Sequence, residues 1–509
     1  MVLMITRFIR WPILTYMLLS TSPLHAQAYP SFRQHVLRVS SGVYDVCVED
    51  LNGDEALDIV VLHSRSRTID SYPERALSIF MQDRDAFTSE PIQTILADKG
   101  EILFDIGDLD SDDNPELVFL LEDGISVRQF VDGRYSQVLE HIVTTSSVFL
   151  PHDGSILPRH RFILNIDGDN APEIIIPQRH ELHILSKGQN GGFKLVQRLW
   201  TSPEYTLPPR NALTQSLNLP VCRAQDYNGD GFSDLLAVSG DRLDVFLQYP
   251  QTWVNPQPSL TPPDLRYRMG TRNVNTTVLE TLTPVSATVE TRDLNGDGYV
   301  DIIVTQGSRA TFTHRISQIQ IYLNKQGRYD ILPDHVFTAE NFGGEHIIRD
   351  FNGDGLQDFA LLTFKIGFAQ AIKFLLTKKA GNAFDIYPMH SDNTYPQKSV
   401  RRISFSRSIR IDEILGSTLC HSFEGDFNGD GLRDILIGTG DETITVFPGH
   451  PQTLFTKKPS LKIQTVISPH LWVGDLNQDG YSDIIFWYPM DEDRNDQVRL
   501  ILSEVGGRP

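Results

Sequence analysis

Cysteine is scarce in this chain: three residues in 509, Cys47, Cys222 and Cys420. An odd count without framework spacing excludes a disulfide-stapled fold, and each thiol reads as a small buried hydrophobe on a strand. Long apolar runs are missing as well. Beyond residue 28 no stretch approaches the roughly 20 apolar residues that a membrane helix needs, so no span is expected in the mature chain. Helical periodicity of useful length is also lacking. Positive charge is in short supply, with 45 Lys and Arg against 65 Asp and Glu for a net charge of -20, which argues against a nucleic-acid partner. Catalytic motifs are wanting too: there is no G-x-S-x-G elbow, no H-E-x-x-H and no phosphate-cradling glycine loop. His180 and His183 would point to opposite faces of a strand, which disfavours a shared metal. The adjacency of Cys420 and His421 is not a nucleophile–base geometry. No catalytic residue is assigned.

What the chain has in abundance is one acidic loop. Asp426-Phe427-Asn428-Gly429-Asp430-Gly431-Leu432-Arg433-Asp434 places oxygen donors at positions 1, 3, 5 and 9, with glycine at 4 and 6. A hard cation such as Ca²⁺ takes six to eight oxygens, so a short loop must curl tightly and aim several carboxylates inward. Glycine at position 6 permits that curl. The pattern occurs eight times, at 50–58, 108–116, 165–173, 226–234, 293–301, 350–358, 426–434 and 475–483. The candidate ligands are Asp50, Asn52, Asp54 and Asp58; Asp108, Asp110, Asp112 and Glu116; Asn165, Asp167, Asp169 and Glu173; and Asp226, Asn228, Asp230 and Asp234. In the second half they are Asp293, Asn295, Asp297 and Asp301; Asp350, Asn352, Asp354 and Asp358; Asp426, Asn428, Asp430 and Asp434; and Asp475, Asn477, Asp479 and Asp483. Up to eight Ca²⁺, one per loop, are expected. The loop at 50–58 is the weakest match, because Glu55 holds position 6, where positive φ is unfavourable. Hydrogen-bonded Asx turns without metal are the alternative reading of each loop.

Start-to-start spacings of 58, 57, 61, 67, 57, 76 and 49 residues mark a repeat architecture. At these loops the sequence resembles the FG-GAP/VCBS repeat family, the calcium-loop propeller repeats also found in integrin α chains. That resemblance implies a β-propeller and a calcium role. It does not select an activity, because the family includes adhesins, ligand-binding modules and parts of enzymes.

Each repeat parses into four short strands separated by Gly, Pro, Asn and Asp, which is the make-up of a propeller blade. The last repeat stops one strand short, and residues 33–39 form an orphan strand ahead of the first loop. The expected fold is therefore all-β: an eight-bladed propeller of four-stranded antiparallel blades whose N-terminal strand completes the last blade. A seven-bladed ring with one degenerate repeat is the alternative.

Residues 1–28 read as a signal peptide, with Arg7 and Arg10 before an apolar core and Ala26-Gln27-Ala28 at its end. Residues 29–509 are then a single exported propeller, secreted, periplasmic or held at the cell surface. Metals spread one per blade look structural, since a catalytic ion is usually unique and keeps an open position. Long connections on the face opposite the loops, at 63–75, 201–218, 305–316 and 387–416, are rich in arginine. Arg401, Arg402, Arg407 and Arg410 are the candidate ligand-binding residues, because arginine forks suit carboxylates, sulfates and phosphates. The insert at 250–275, with Tyr249, Trp253 and Tyr267, is expected between the third and fourth strands of blade 4. The function expected is a recognition or adhesion module for an acidic glycan or a protein partner. The alternative is a polysaccharide lyase or hydrolase on the same frame.

Overall fold

The structure is a computed structural model. It describes residues 29–65, 74–83, 86–149, 154–169, 171–188, 190–201, 204–206, 216–248, 260–269, 283–309, 315–340, 345–364, 379–408, 419–439 and 442–504. The proposed signal peptide lies outside them, as do Tyr249, Trp253 and Arg410.

A loop flanked by apolar runs dictates a hairpin, and all eight hairpins form in one register. The residue before each loop pairs with its ninth residue: Glu49 with Asp58, Gly107 with Glu116, Leu164 with Glu173 and Gln225 with Asp234. The same pairing joins Arg292 to Asp301, Arg349 to Asp358, Gly425 to Asp434 and Gly474 to Asp483. Two more antiparallel strands follow each of the first seven hairpins and one follows the last. Blade 1, for example, runs Gly42–Glu49, Asp58–Arg65, Glu74–Phe80 and Gln93–Ala97.

Eight such blades close into a propeller. The second strand of each is an unbroken apolar run, as in Ile59-Val60-Val61-Leu62 and Ile435-Leu436-Ile437, because a neighbouring blade covers each of its faces. Alternate side chains therefore enter different cores. Val60 and Leu62 pack toward blade 2 with Leu117 and Phe119, while Ile59 and Val61 pack toward blade 8 with Ile485 and Leu500. One apolar cluster fills each seam between adjacent blades, eight in all.

The ring closes where the sequence places its orphan strand. Ser31–Arg38 pairs with Gln497–Glu504, from Ser31 opposite Glu504 to Arg38 opposite Gln497, as the outer strand of blade 8. Leu37 is fully buried there. The seven-bladed alternative is excluded.

Two of the expected long connections contain strand. Thr283–Arg292, Asp301–Arg309 and Arg315–Tyr322 extend blade 5 through most of the 305–316 segment. Arg401–Ser408, inside the 387–416 segment, is the outermost strand of blade 6. Blade 4 carries an insert between Arg242–Phe246 and Leu265–Arg268, shorter than the expected 250–275 because Tyr267 pairs with Leu243 in the fourth strand itself, and Leu260–Thr261 straps across to the outer strand of blade 3 in parallel. Among the described residues no helix is long and apolar enough to cross a membrane.

Candidate metal sites on the loop face

The side chain at position 1, a carboxylate in every loop but the third, where it is Asn165, curls the backbone around itself. Asp426 accepts the Gly429 N–H at 2.7 Å on Oδ1 and the Gly431 N–H at 2.7 Å on Oδ2. Asp226, Asp293 and Asp350 do the same with their own fourth and sixth residues. Asp50 does so with Gly53 and Glu55, so Glu55 is held at φ 68° and the loop forms despite its side chain. Asp113, at the same place in the second loop, also adopts φ 68°. The fifth carboxylate then accepts the seventh N–H, at 2.9 Å in the loops that begin at Asp50, Asp226, Asp293, Asp350, Asp426 and Asp475.

The ninth carboxylate plays a different part. It is the first residue of the second strand and is buried in all eight loops. Asp434 accepts the Phe427 N–H at 2.8 Å and the Gly449 N–H at 2.8 Å, joining the loop to the end of the third strand. Asp58, Asp234, Asp301 and Asp358 make the same two-ended clamp. Burial pushes these groups up, to about 6 at Asp58 and Asp234 and to about 7 at Asp301, Asp358, Asp434 and Asp483. Glu116 and Glu173 are pushed up to about 7 as well, and the charges at the loops' earlier positions add to the effect.

A buried carboxylate held at a raised pKa beside other carboxylates marks a site short of positive charge. In the second and third loops, oxygens of Asp108, Asp110 and Glu116, and of Asp167, Asp169 and Glu173, come within 4.8 Å of one another. The donors are all oxygens, which suits a hard cation, and the loop residues therefore fit Ca²⁺. A bound cation would supply the charge that keeps these buried carboxylates ionised.

Neighbouring loops also touch. A methyl group added at Gly53 would lie 2.5 Å from the Asp113 carbonyl oxygen, and one at Gly229 would lie 2.7 Å from the Tyr299 ring. Gly353 abuts Leu432 and Gly429 abuts Tyr481 in the same way. Gln478 donates to the Glu55 carbonyl, linking the last loop to the first. Position 4 of one loop thus meets position 6 or 7 of the next. Between blades 3 and 4 the pattern lapses: nothing lies within 4 Å of that point at Gly168, and Phe232 is exposed.

The arginines are placed differently from the sequence-based expectation. Arg401 and Arg402 sit on the outer edge strand of blade 6, not on a face loop. Arg401 Nε donates to the Thr453 carbonyl at 3.0 Å, and Arg402 Nη1 donates to Asp385 at 2.6 Å. Arg407 lies on the same strand. The guanidiniums of Arg401 and Arg402 are thus held by different partners.

All three cysteines are free and stand on or beside innermost strands. Burial raises the Cys47 thiol to about 11 and the Cys222 thiol to about 12, which suits unreactive packing groups. His183 Nε2 meets Glu181 at 3.1 Å, with Arg198 on the same carboxylate, and His421 Nε2 meets Glu345 at 3.1 Å. The Nδ1 of His421 meets the Leu419 carbonyl at 3.2 Å.

Two features escaped the sequence. A chain of polar side chains crosses blade 1: Ser41 Oγ to His63 Nδ1 at 2.6 Å, His63 Nε2 to Ser78 Oγ at 2.9 Å, and Ser78 Oγ to Thr94 Oγ1 at 2.8 Å. A groove also opens between blades 5 and 6. Both assemble residues from strands or repeats far apart in sequence, so no local pattern announces them.

The family model for the FG-GAP-like repeat matches residues 293–361 and 426–486, which hold four of the eight loops. No curated protein matches the sequence. Similar solved structures include an Agrocybe aegerita lectin described as recognising non-reducing terminal N-acetylglucosamine, 13% identical, with 92% of this chain and 99% of that one covered at a TM-score of 0.41. The V. cholerae biofilm matrix protein Bap1 is 11% identical, with 96% and 90% covered at 0.30. The WD40 domain of Toxoplasma gondii coronin is 10% identical, with 94% and 89% covered at 0.37.

Proposed function

We propose that this chain, an eight-bladed propeller carrying FG-GAP-like repeats, is an exported recognition module whose frame is set by calcium. The observation that carries the reading is the repetition of one loop geometry. Eight first-to-second-strand hairpins share a register, and in the second and third loops three carboxylates come within 4.8 Å of one another. Ions distributed in this way would brace every blade equally and leave none singled out for chemistry. Export is supported by the basic and apolar character of residues 1–28. A rigid ring of this kind offers grooves between blades to a glycan or a protein partner.

Ca²⁺ would neutralise the clustered carboxylates and tie position 1 to position 9 across the hairpin. The fifth and ninth carboxylates, already fixed by backbone N–H groups, would hold the donors in place. Ligands that bind only the folded state stabilise it by about 2.7 kcal/mol per site at 100 times Kd. The melting temperature of residues 29–509 should therefore fall steeply when a chelator is added and return with millimolar calcium. An unchanged melt, together with no calcium by elemental analysis of the purified protein, would refute the calcium part of the reading.

A further inference from the structure

The groove between blades 5 and 6 has a volume of about 690 Å³ and opens on the loop face. That lies within the roughly 300–1,000 Å³ range of small-ligand sites. One wall is the loop at 293–301, contributing Tyr299; another is the turn after Arg315–Tyr322; the third is the Asp392–Thr394 turn of blade 6.

The walls are held before any ligand arrives. His335 Nε2 contacts the Asn393 carbonyl at 2.8 Å across the two blades, and its ring stands edge-on to Tyr395 at 5.1 Å. Asp334 Oδ2 accepts the Leu323 N–H at 2.9 Å, and Asp392 accepts the Thr394 hydroxyl at 2.6 Å. Little ordering remains to be done on binding, which favours affinity.

What the groove leaves open defines its ligand. The Tyr299 hydroxyl and the side-chain amides of Gln326 and Asn393 have no hydrogen-bond partner among the described residues. Asp334 and Asp392 make the lining acidic, Asp297 being committed to the Tyr299 N–H and the proposed calcium, and Lys325 is already bound to Asp330 and Asp334. An anionic group would meet carboxylates without an unengaged cation to receive it. Hydroxyl groups are the natural complement, because they donate to carboxylates and exchange hydrogen bonds with amides. A phenol ring suits the apolar C–H face of a pyranose.

We propose that this groove binds a neutral, hydroxyl-rich oligosaccharide, with Tyr299, Gln326 and Asn393 making its polar contacts. The proposal rests on the recognition reading above and moves the ligand from the face opposite the loops to the loop face. Residues 29–509 in millimolar calcium are titrated by calorimetry with tetrasaccharides of β-1,4-glucose, α-1,4-glucose and β-1,4-mannose, and with tetragalacturonate. Tyr299→Phe and Asn393→Asp are measured alongside, with melting curves as the control for folding. Binding of a neutral tetrasaccharide that weakens roughly 3- to 10-fold in each variant, without a change in melt, is the expected result for the loss of one hydrogen bond. Neutral binding untouched by either substitution would place the site elsewhere and overturn the groove while leaving recognition standing. Binding of tetragalacturonate alone would overturn the ligand class. No heat with any sugar would overturn the proposal, while a calcium-dependent melt would still support the frame.

Discussion

His63 shows how a single buried group ties this fold to pH. It is 1% exposed, with both ring nitrogens engaged by Ser41 and Ser78. Burial lowers its pKa from 6.5 to about 4, so the folded chain keeps the imidazole neutral while the unfolded chain takes up a proton. The stability His63 contributes is therefore complete above about pH 6.5 and is lost as pH falls toward 4. One pKa unit is about 1.36 kcal/mol, so the effect can reach roughly 3 kcal/mol. The ninth-position carboxylates titrate in the same region with the opposite sign, so the comparison must be differential. In calcium, the melting temperature of the wild type should exceed that of His63→Gln at pH 7.5, and the gap should narrow by pH 4.5. A gap that stays constant would show that His63 does not titrate differently on folding.

At the scale of the element, the loop hairpin is the unit that is repeated, and its fourth position does two things. It takes positive φ, and in several loops it seats the next loop's side chain. Gly429 has φ 67°, and an added Cβ would approach Tyr481 to 3.0 Å; Gly431, at φ 83°, has open space around it. Gly431→Ala should lose only the cost of a left-handed backbone, about 1 kcal/mol. Gly429→Ala should lose that and the contact with Tyr481, about 1–3 kcal/mol more if the ring has to shift. Equal drops in melting temperature would mean that contact between loops contributes nothing to stability.

At the scale of the molecule, closure is a single strand pairing. Without Ser31–Arg38 the strand Gln497–Glu504 becomes an open edge, and the seam that Leu37 shares with Val43 and Val498 loses one wall. Open apolar edges promote association. A chain beginning at residue 40 should melt on the order of 10 °C lower than one beginning at residue 29 or should aggregate, as read by scanning calorimetry and light scattering. A truncated chain with the same melt would show that ring closure does not depend on this pairing.

The blade count and the loop register were legible in the sequence because each depends on neighbours within one repeat, and the closing strand because the last repeat is one strand short while 33–39 is left over at the other end. Position 1 must accept N–H groups three and five residues on, and the ninth residue must start the next strand. Asp226 to Asp234 states both requirements in nine letters. The arginines were not legible in this way. Arg402 looks like a surface fork in sequence, and only the pairing of Arg401–Ser408 with Lys379–Tyr387 brings it to Asp385. The groove was out of reach as well, since Tyr299, Gln326 and Asn393 belong to separate turns on two blades. Local hydrogen bonding and alternation of apolar residues fix each blade from the sequence alone. Which side chains meet across a seam is decided by how the blades pack, because that packing joins residues whose separation along the chain carries no signal of their contact.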